Sequence, residues 1–165
     1  MVRIGLLSDT HSYLDPALLE TYFRDCDELW HAGDVGDPGV LDALADSGKR
    51  VRAVYGNIDD AGLRARLPLN DRFTLGGLDV LMTHIGGYPG RYTARVRALL
   101  RQQRPGLYVC GHSHILKVMP DPQLPRATDG RPLLHINPGA CGHHGFHRVR
   151  TVVRFAIADG VVNDL

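Results

Sequence analysis

The sequence lacks the long apolar run that a membrane-spanning helix requires. No stretch of the 165 residues approaches the roughly 18 consecutive apolar positions needed to cross a bilayer. The apolar run after Met1 is also too short for a signal peptide, and it leads directly into Ser8 and Asp9. We therefore expect a cytoplasmic protein without a membrane partner.

The sequence also has few cysteines and a small net charge. Cys26, Cys110 and Cys141 are odd in number and far apart, which excludes a disulfide framework and a paired cysteine zinc motif. The formal net charge is only +1, and the positive residues are scattered without a basic block. A basic groove with stacking aromatics is not visible, so no stable nucleic-acid partner is expected. The length and the 44% apolar content fit one globular domain over residues 1–165.

Apolar runs and helix-start signals alternate in the first third of the chain. The runs predict strands at 2–8, 28–32 and 50–55. Asp-Pro pairs at Asp15 and Asp37 predict helix starts, because Asp caps a helix and Pro fits its first position. This alternation favours parallel strands with crossover helices, hence an α/β fold.

The rest of the chain adds one helix and further strands. We predict a hairpin of 73–75 and 78–83 around a glycine turn, and an amphipathic helix over 91–103. Further strands are predicted at 107–110, 115–119, 133–136, 148–158 and 161–165.

Residues of the types that bind metals follow five of the predicted strands. In chain order they are Asp9 and His11, Asp34, Asn57, His84, and finally His112 and His114. Each alone has an ordinary explanation as a cap, a turn or a packed residue. In α/β sheets, however, ligands bind beyond the carboxyl ends of the strands. The whole series therefore predicts one shared site.

The predicted donor set indicates the chemistry of that site. Mixed imidazole, carboxylate and amide donors suit borderline divalent ions better than Mg or Ca. No thiolate takes part, which argues against a structural zinc site.

The motif series resembles that of the calcineurin-like metallophosphoesterase superfamily. The matching motifs are Asp9-x-His11, Gly33-Asp34, Gly56-Asn57, Thr83-His84, Gly111-His112-Ser113-His114 and Asn137-Pro138-Gly139-Ala140. The length and the last motif are similar to those of the short, single-domain bacterial and archaeal phosphodiesterase branch. The resemblance implies a four-layer α/β/β/α sandwich.

The resemblance also implies a dinuclear metal site. One metal would take Asp9, His11, Asp34 and His114, and the other would take Asp34, Asn57, His84 and His112, with Asp34 as the bridge. Manganese is the preferred expectation for both ions, with Fe, Ni, Co or Zn as alternatives. The implied reaction is hydrolysis of a phosphodiester by hydroxide held at the metals. Two divalent ions would outweigh the charges of Asp9 and Asp34, attract a phosphate oxyanion and lower the pKa of bound water. Asp34, Asn57 and His84 would position the hydroxide and the phosphate.

The chain departs from the wider family at Ile58, where many members carry a histidine that protonates the leaving group. Ile58 cannot transfer a proton, and a lost general acid costs roughly 10²–10⁴-fold in rate. We therefore expect diesters with good leaving groups, either aryl or cyclic and nucleotide-type. Relatives use an Asp at the position of Asp37 to orient this histidine. Because the histidine is missing here, we expect Asp37 to serve only as a helix cap. Asp59 is either an acceptor for a ligand imidazole or an exposed turn residue.

Three further histidines, His143, His144 and His147, cluster near the C-terminal end. One of them either replaces the lost acid or contacts the substrate phosphate; the alternative is a surface loop.

Two other functions remain open at this point. One is a phosphomonoesterase acting on a small metabolite or a phosphoprotein. The other is a non-catalytic interaction scaffold, like the retromer subunit that shares this fold. Because every expected ligand is present, an enzyme with a small phosphodiester substrate is favoured. A homo-oligomer is left open.

Overall fold

A computed structural model describes residues 1–165 as two five-stranded sheets flanked by four helices. The strands are β1 Val2–Leu7, β2 Glu28–His31, β3 Arg50–Ala53, β4 Asn70–Leu75, β5 Leu78–Thr83, β6 Leu107–Val109, β7 Leu116–Asp121, β8 Leu133–Pro138, β9 Val153–Ala158 and β10 Val161–Asn163. The helices are α1 Pro16–Thr21, α2 Pro38–Asp46, α3 Ala61–Arg66 and α4 Ala94–Gln103. None of them has both the length and the apolar content needed to cross a membrane.

Each sheet contains three parallel strands; the first adds the antiparallel hairpin β9–β10 at one edge, and the second has an antiparallel strand at each edge. The first sheet has the order β10-β9-β1-β2-β3, in which β1, β2 and β3 are parallel. The second has the order β4-β5-β6-β8-β7, in which β5, β6 and β8 are parallel. Since parallel strands end at the same edge, the loops that follow them are neighbours.

Three apolar clusters separate the layers of the fold. Trp30 lies between the sheets and packs edge-on against Phe73 and Phe155, with ring centroids 5.0 and 5.6 Å apart. Residues of α2 and α3 pack on the outer face of the first sheet. Residues of α4, including Val96 and Leu100, pack on the outer face of the second. The four-layer α/β/β/α sandwich is confirmed.

The boundaries of several elements differ from the sequence prediction. The helix α3 was not predicted, because its six residues bury only Leu63 and so show no apolar periodicity. Its start is nevertheless marked by Asp60, which accepts a hydrogen bond from the Leu63 N–H at 2.9 Å. The helix predicted over 91–103 begins only at Ala94, after the cap Thr93, and the strand predicted from 148 begins only at Val153.

Candidate metal centre

The candidate ligands lie on the loops after β1, β2, β3, β5 and β6. Six of them form two groups, and within each group the ligand atoms all lie within 4.8 Å of one another. The first group is Asp9, His11 and His114, and the second is Asp34, His84 and His112. Residues more than a hundred positions apart in sequence are therefore neighbours in space.

Asp34 lies between the two groups. Its Oδ2 is 3.2 Å from Nε2 of His84 in its own group and 3.6 Å from Nε2 of His11 in the other group. In the first group, Oδ1 of Asp9 lies 3.1 Å from Nε2 of His114. Two donors bound to one cation at 2.0–2.2 Å are separated by about 2.8–3.6 Å for bond angles near 90–110°. The observed separations fit donors that share a cation.

Several of these atoms are buried and have no hydrogen-bond partner within the protein. They are Oδ1 of Asp9 and Nε2 of both His11 and His84. A buried polar atom without a partner costs roughly 1–3 kcal/mol, and here three such atoms face one small volume. A cation in that volume would satisfy all three.

The tautomer of His84 strengthens this assignment. Its Nδ1 lies 2.8 Å from the backbone oxygen of Ala32, and a carbonyl oxygen only accepts, so Nδ1 carries the hydrogen. A neutral His84 therefore directs the lone pair of Nε2 toward the carboxylate of Asp34. Two acceptors at this distance repel each other unless a cation or a proton lies between them. This is the usual arrangement of a metal-binding histidine.

Each carboxylate has one oxygen fixed and one oxygen free. Oδ2 of Asp9 accepts a hydrogen bond from the backbone N–H of His112 at 3.1 Å. Oδ1 of Asp34 accepts one from the backbone N–H of Ile58, also at 3.1 Å. The other oxygens, Oδ1 of Asp9 and Oδ2 of Asp34, face the imidazoles.

The backbone of the site is held in an uncommon conformation. Five of the candidate ligands have positive φ angles, namely Asp9, His11, Asp34, His112 and His114. Such residues cost of order 1 kcal/mol or more each, and they cluster at functional sites. Gly33, with φ 98°, is needed for a steric reason as well, because a Cβ there would lie 2.6 Å from the His84 ring.

Comparison with known proteins agrees with this geometry. Residues 2–160 match the family model of the calcineurin-like phosphoesterase superfamily domain. The chain belongs to this superfamily. It is 33% identical over 146 residues to a probable metallophosphoesterase of Methanocaldococcus jannaschii, covering 83% of this chain and 67% of that protein. Membership supports a metal-dependent hydrolase of phosphate esters.

Two solved structures illustrate the shared fold. The zinc complex of wild-type Vps29 from Entamoeba histolytica has a TM-score of 0.73 and 16% identity, covering 97% of this chain and 88% of that one. An archaeal phosphodiesterase has a TM-score of 0.66 and 20% identity, covering 84% of each chain. At these identities the likeness concerns the fold alone.

The charges of this metallophosphoesterase site shift the pKa values of its members. Burial alone would raise the pKa of Asp9 and Asp34, but the nearby imidazoles outweigh it and lower both. Burial would lower the pKa of His84, but the two carboxylates outweigh it and raise the value. Asp9 likewise raises the pKa of His114. Carboxylates and imidazoles thus stabilise each other's charged forms, which shows how closely the two sets of side chains are coupled.

Thr10 and His31 hold two ligand loops of the metallophosphoesterase together. Nε2 of His31 donates to Oγ1 of Thr10 at 2.9 Å, and Nδ1 accepts from the backbone N–H of Gly33 at 3.1 Å. The Thr10 hydroxyl donates to the backbone oxygen of Val35 at 3.0 Å. Burial lowers the pKa of His31 to about 4, so the ring is neutral. In the sequence, the only signal of this role is the position of His31 just before Gly33-Asp34.

Asp59 differs from both expectations, because it neither accepts from an imidazole nor lies exposed. It is buried, and its two oxygens accept from the backbone N–H groups of Gly36 and Gly56 at 2.8 and 2.7 Å. It thereby ties the loops after β2 and β3. Asp37 acts as a helix cap and accepts from the Gly39 N–H at 2.7 Å.

Asn137 fixes the turn that carries His112 and His114. Its buried side chain donates to the backbone oxygen of Gly111 at 2.8 Å and to Oγ of Ser113 at 3.1 Å. This gives the Asn137-Pro138-Gly139 motif a physical role at the edge of the site.

A groove of about 570 Å³ opens above the ligand groups. Asn57 lines it with an exposed side chain. His144 and His147 line it as well; their rings lie 4.8 Å from the His11 ring and 5.2 Å from the His114 ring. His143 is not part of the groove lining and packs on Tyr13, with ring centroids 4.1 Å apart.

Proposed function

We propose that this chain is a single-domain metal-dependent phosphodiesterase, with one catalytic domain over residues 1–165. The observation that carries the proposal is the set of buried, unpartnered ligand atoms of Asp9, His11 and His84, which face one another across a small volume. The proposed ligands are Asp9, His11, Asp34, Asn57, His84, His112 and His114.

Two divalent transition-metal ions fit this donor set, with Asp34 between them. Manganese is proposed first, and Fe, Ni, Co and Zn are alternatives that the same donors accept. When bound, such ions supply an activated water and neutralise charge that develops on the phosphate. The protein residues named above would hold the ions, and Asn57, in the groove wall, would orient the phosphate.

Diesters are proposed over monoesters for two reasons. Ile58 lines the groove where a proton donor would assist a basic leaving group, and it has no proton to give. No arginine or lysine lines this groove either; Arg64 reaches the backbone oxygen of Asn57 from an adjoining pocket, so the second negative charge of a monoester gains no cationic contact within the groove itself. Diesters with aryl or cyclic, nucleotide-type leaving groups depend least on a proton donor and on a cationic side chain.

His144 is the best of the three clustered histidines for a proton donor or a phosphate contact. It is exposed in the groove wall beside His11, and its ring is free of hydrogen bonds to the protein. His147 is less free, because its Nε2 donates to the backbone oxygen of Gly142 at 2.8 Å. His143 packs on Tyr13 instead.

A non-catalytic scaffold remains the rival from another class, since Vps29 has the same fold. The complete set of ligands and their strained backbone favour an enzyme. A scaffold would have no need for three buried polar atoms without partners.

The test is an assay of the manganese-loaded protein before and after chelation. Bis(p-nitrophenyl) phosphate should be cleaved, chelation should abolish the activity, and manganese should restore it. Methyl phosphate, an alkyl monoester, should be a much poorer substrate. Faster cleavage of the alkyl monoester would overturn the diesterase assignment, and no metal-dependent cleavage of either ester would favour a scaffold.

A further inference from the structure

Three exposed apolar side chains surround the mouth of the groove. They are Ile58, Ile115 and Phe146, with exposed fractions of 45%, 61% and 105%. We call these three residues the apolar rim. Each comes from a different loop: the first follows Asn57, the second follows His114, and the third lies between His144 and His147.

The exposure of the rim needs a reason. Single exposed apolar residues are ordinary, but three around one polar groove mark a binding surface. Fully burying a phenylalanine side chain contributes roughly 1.5–3 kcal/mol, and Phe146 is open to solvent on all sides. That contribution is available to a ligand in the groove.

The loop that presents Phe146 is anchored to the floor of the site. The backbone N–H groups of Cys141 and Gly142 donate to the backbone oxygens of Ser8 and Asp9 at 3.0 and 3.1 Å. Farther along, His147 bonds back to Gly142. The loop is therefore anchored at its start, and the His147 bond closes it back onto that start, with Phe146 in the segment between.

We propose that the apolar rim binds a planar aromatic substituent of the substrate diester, with Phe146 as the stacking partner. This rests on the proposed function and adds the part of the substrate that is recognised away from the phosphate. The phosphate would lie over the ligand groups, and the ring would lie between Phe146 and the two isoleucines. Phe146, Ile58 and Ile115 are thus specificity-determining residues.

The chemistry of the groove favours an aromatic group over its competitors. A polyanionic strand would need cationic side chains along the groove, and none line it. A volume of about 570 Å³ is within the range of small-ligand sites. Phenylalanine offers a flat face, and stacking on a base contributes roughly 1–3 kcal/mol. Nucleobases and phenols share this chemistry.

The test compares inhibitors that have one phosphonate head group and differ only in the substituent. With the manganese-loaded enzyme, the methyl esters of phenylphosphonate and methylphosphonate, which carry a single negative charge as a diester does, compete against bis(p-nitrophenyl) phosphate. In the wild type the phenyl compound should bind about 5-fold tighter or more, by the stacking contribution. Phe146→Ala should bring the ratio close to one, and Phe146→Trp should keep it. A ratio near one in the wild type, or an unchanged ratio in Phe146→Ala, would overturn the proposal.

The matched control is Val149→Ala, three residues further along and 71% exposed, outside the groove lining. It should leave the inhibitor ratio unchanged; a loss equal to that of Phe146→Ala would argue against a specific rim. A second pair, the phosphate methyl esters of adenosine monophosphate and ribose 5-phosphate, separates a nucleobase from a phenol as the preferred ring. Hydrolysis of the diester without an aryl preference refutes the rim alone, whereas absence of hydrolysis refutes the proposed function.

Discussion

The floor and the rim of the groove are built in opposite ways. In the floor, Asp9, Asp34 and His84 are at most 2% exposed, and neighbouring loops hold them in place. In the rim, Phe146 and Ile115 are exposed and their side chains contact solvent. The difference fits the two proposals, in which buried residues hold the reacting groups and exposed loop residues select the substrate.

The largest expected effect comes from the residue between the two ligand groups. Asp34→Asn should lower kcat/KM for bis(p-nitrophenyl) phosphate by more than about 100-fold, because losing even an outer-sphere partner costs 10–100-fold. Asp37→Asn is the matched control, since asparagine caps a helix as well as aspartate does. It should retain wild-type activity. Similar activities for the two variants would show that Asp34 is not a metal ligand.

The second test asks whether support beneath the floor matters for metal binding. His31→Leu removes the hydrogen bonds to Thr10 and Gly33, and we expect manganese affinity to fall about 10–100-fold in a calorimetric titration. His31→Gln, which can donate and accept, should recover part of it.

The matched control for that test is His135→Leu. His135 is also fully buried, but it lies beside Tyr92 and Tyr108 in the other sheet. It should lose stability without a change in manganese affinity. Equal losses of affinity in both variants would mean that His31 acts only through global stability.

A third, smaller effect is a pH dependence of stability. Burial lowers the pKa of both His31 and His135 to about 4, whereas the unfolded side chains titrate near 6.5. The unfolded chain therefore binds these protons first as the pH falls. For each of the two histidines, the free energy of unfolding should therefore fall by about 1.4 kcal/mol for each unit that the pH is lowered between roughly pH 6.5 and 4. Urea unfolding of the metal-free protein measures this slope.

His135→Leu separates the contribution of one of these residues. Its slope of stability against pH in that window should be shallower than that of the wild type. Parallel curves for the two proteins would show that His135 is not held neutral by burial.

The smallest expected effect concerns the histidines near the rim. With p-nitrophenolate, a weakly basic leaving group, His144→Gln should lower kcat/KM by much less than the roughly 10²-fold loss that is typical when a general acid is removed. Its pH–rate profile should nevertheless shift. His143→Gln should change neither quantity. A shifted profile for His143→Gln with none for His144→Gln would reverse the assignment drawn from the groove lining.

The sequence predicted most of the fold because its signals were local. Strand ends at Asp9, Asp34 and His84 were visible as polar residues after apolar runs, and parallel strands bring such ends together. The short helix α3 was missed because a single buried residue gives no periodicity. The N-cap Asp60 was a local signal for a helix start, but no apolar periodicity followed it to indicate a helix.

What the sequence could not predict depends on side-chain direction. Asp59 bonds to the backbone of Gly36 and Gly56, which follows from the packing of two loops and not from spacing. The same holds for the histidine cluster, where adjacent residues His143 and His144 face different neighbours. A pattern of residue types marks where a site lies but does not show which atoms point into it.

The most direct test is a crystal structure grown with manganese and measured at a wavelength where manganese scatters anomalously. We expect two peaks, one among Asp9, His11 and His114 and one among Asp34, His84 and His112, both within bonding distance of the Asp34 carboxylate. An absence of peaks in these two positions at saturating manganese would contradict the dinuclear centre on which the proposed function depends.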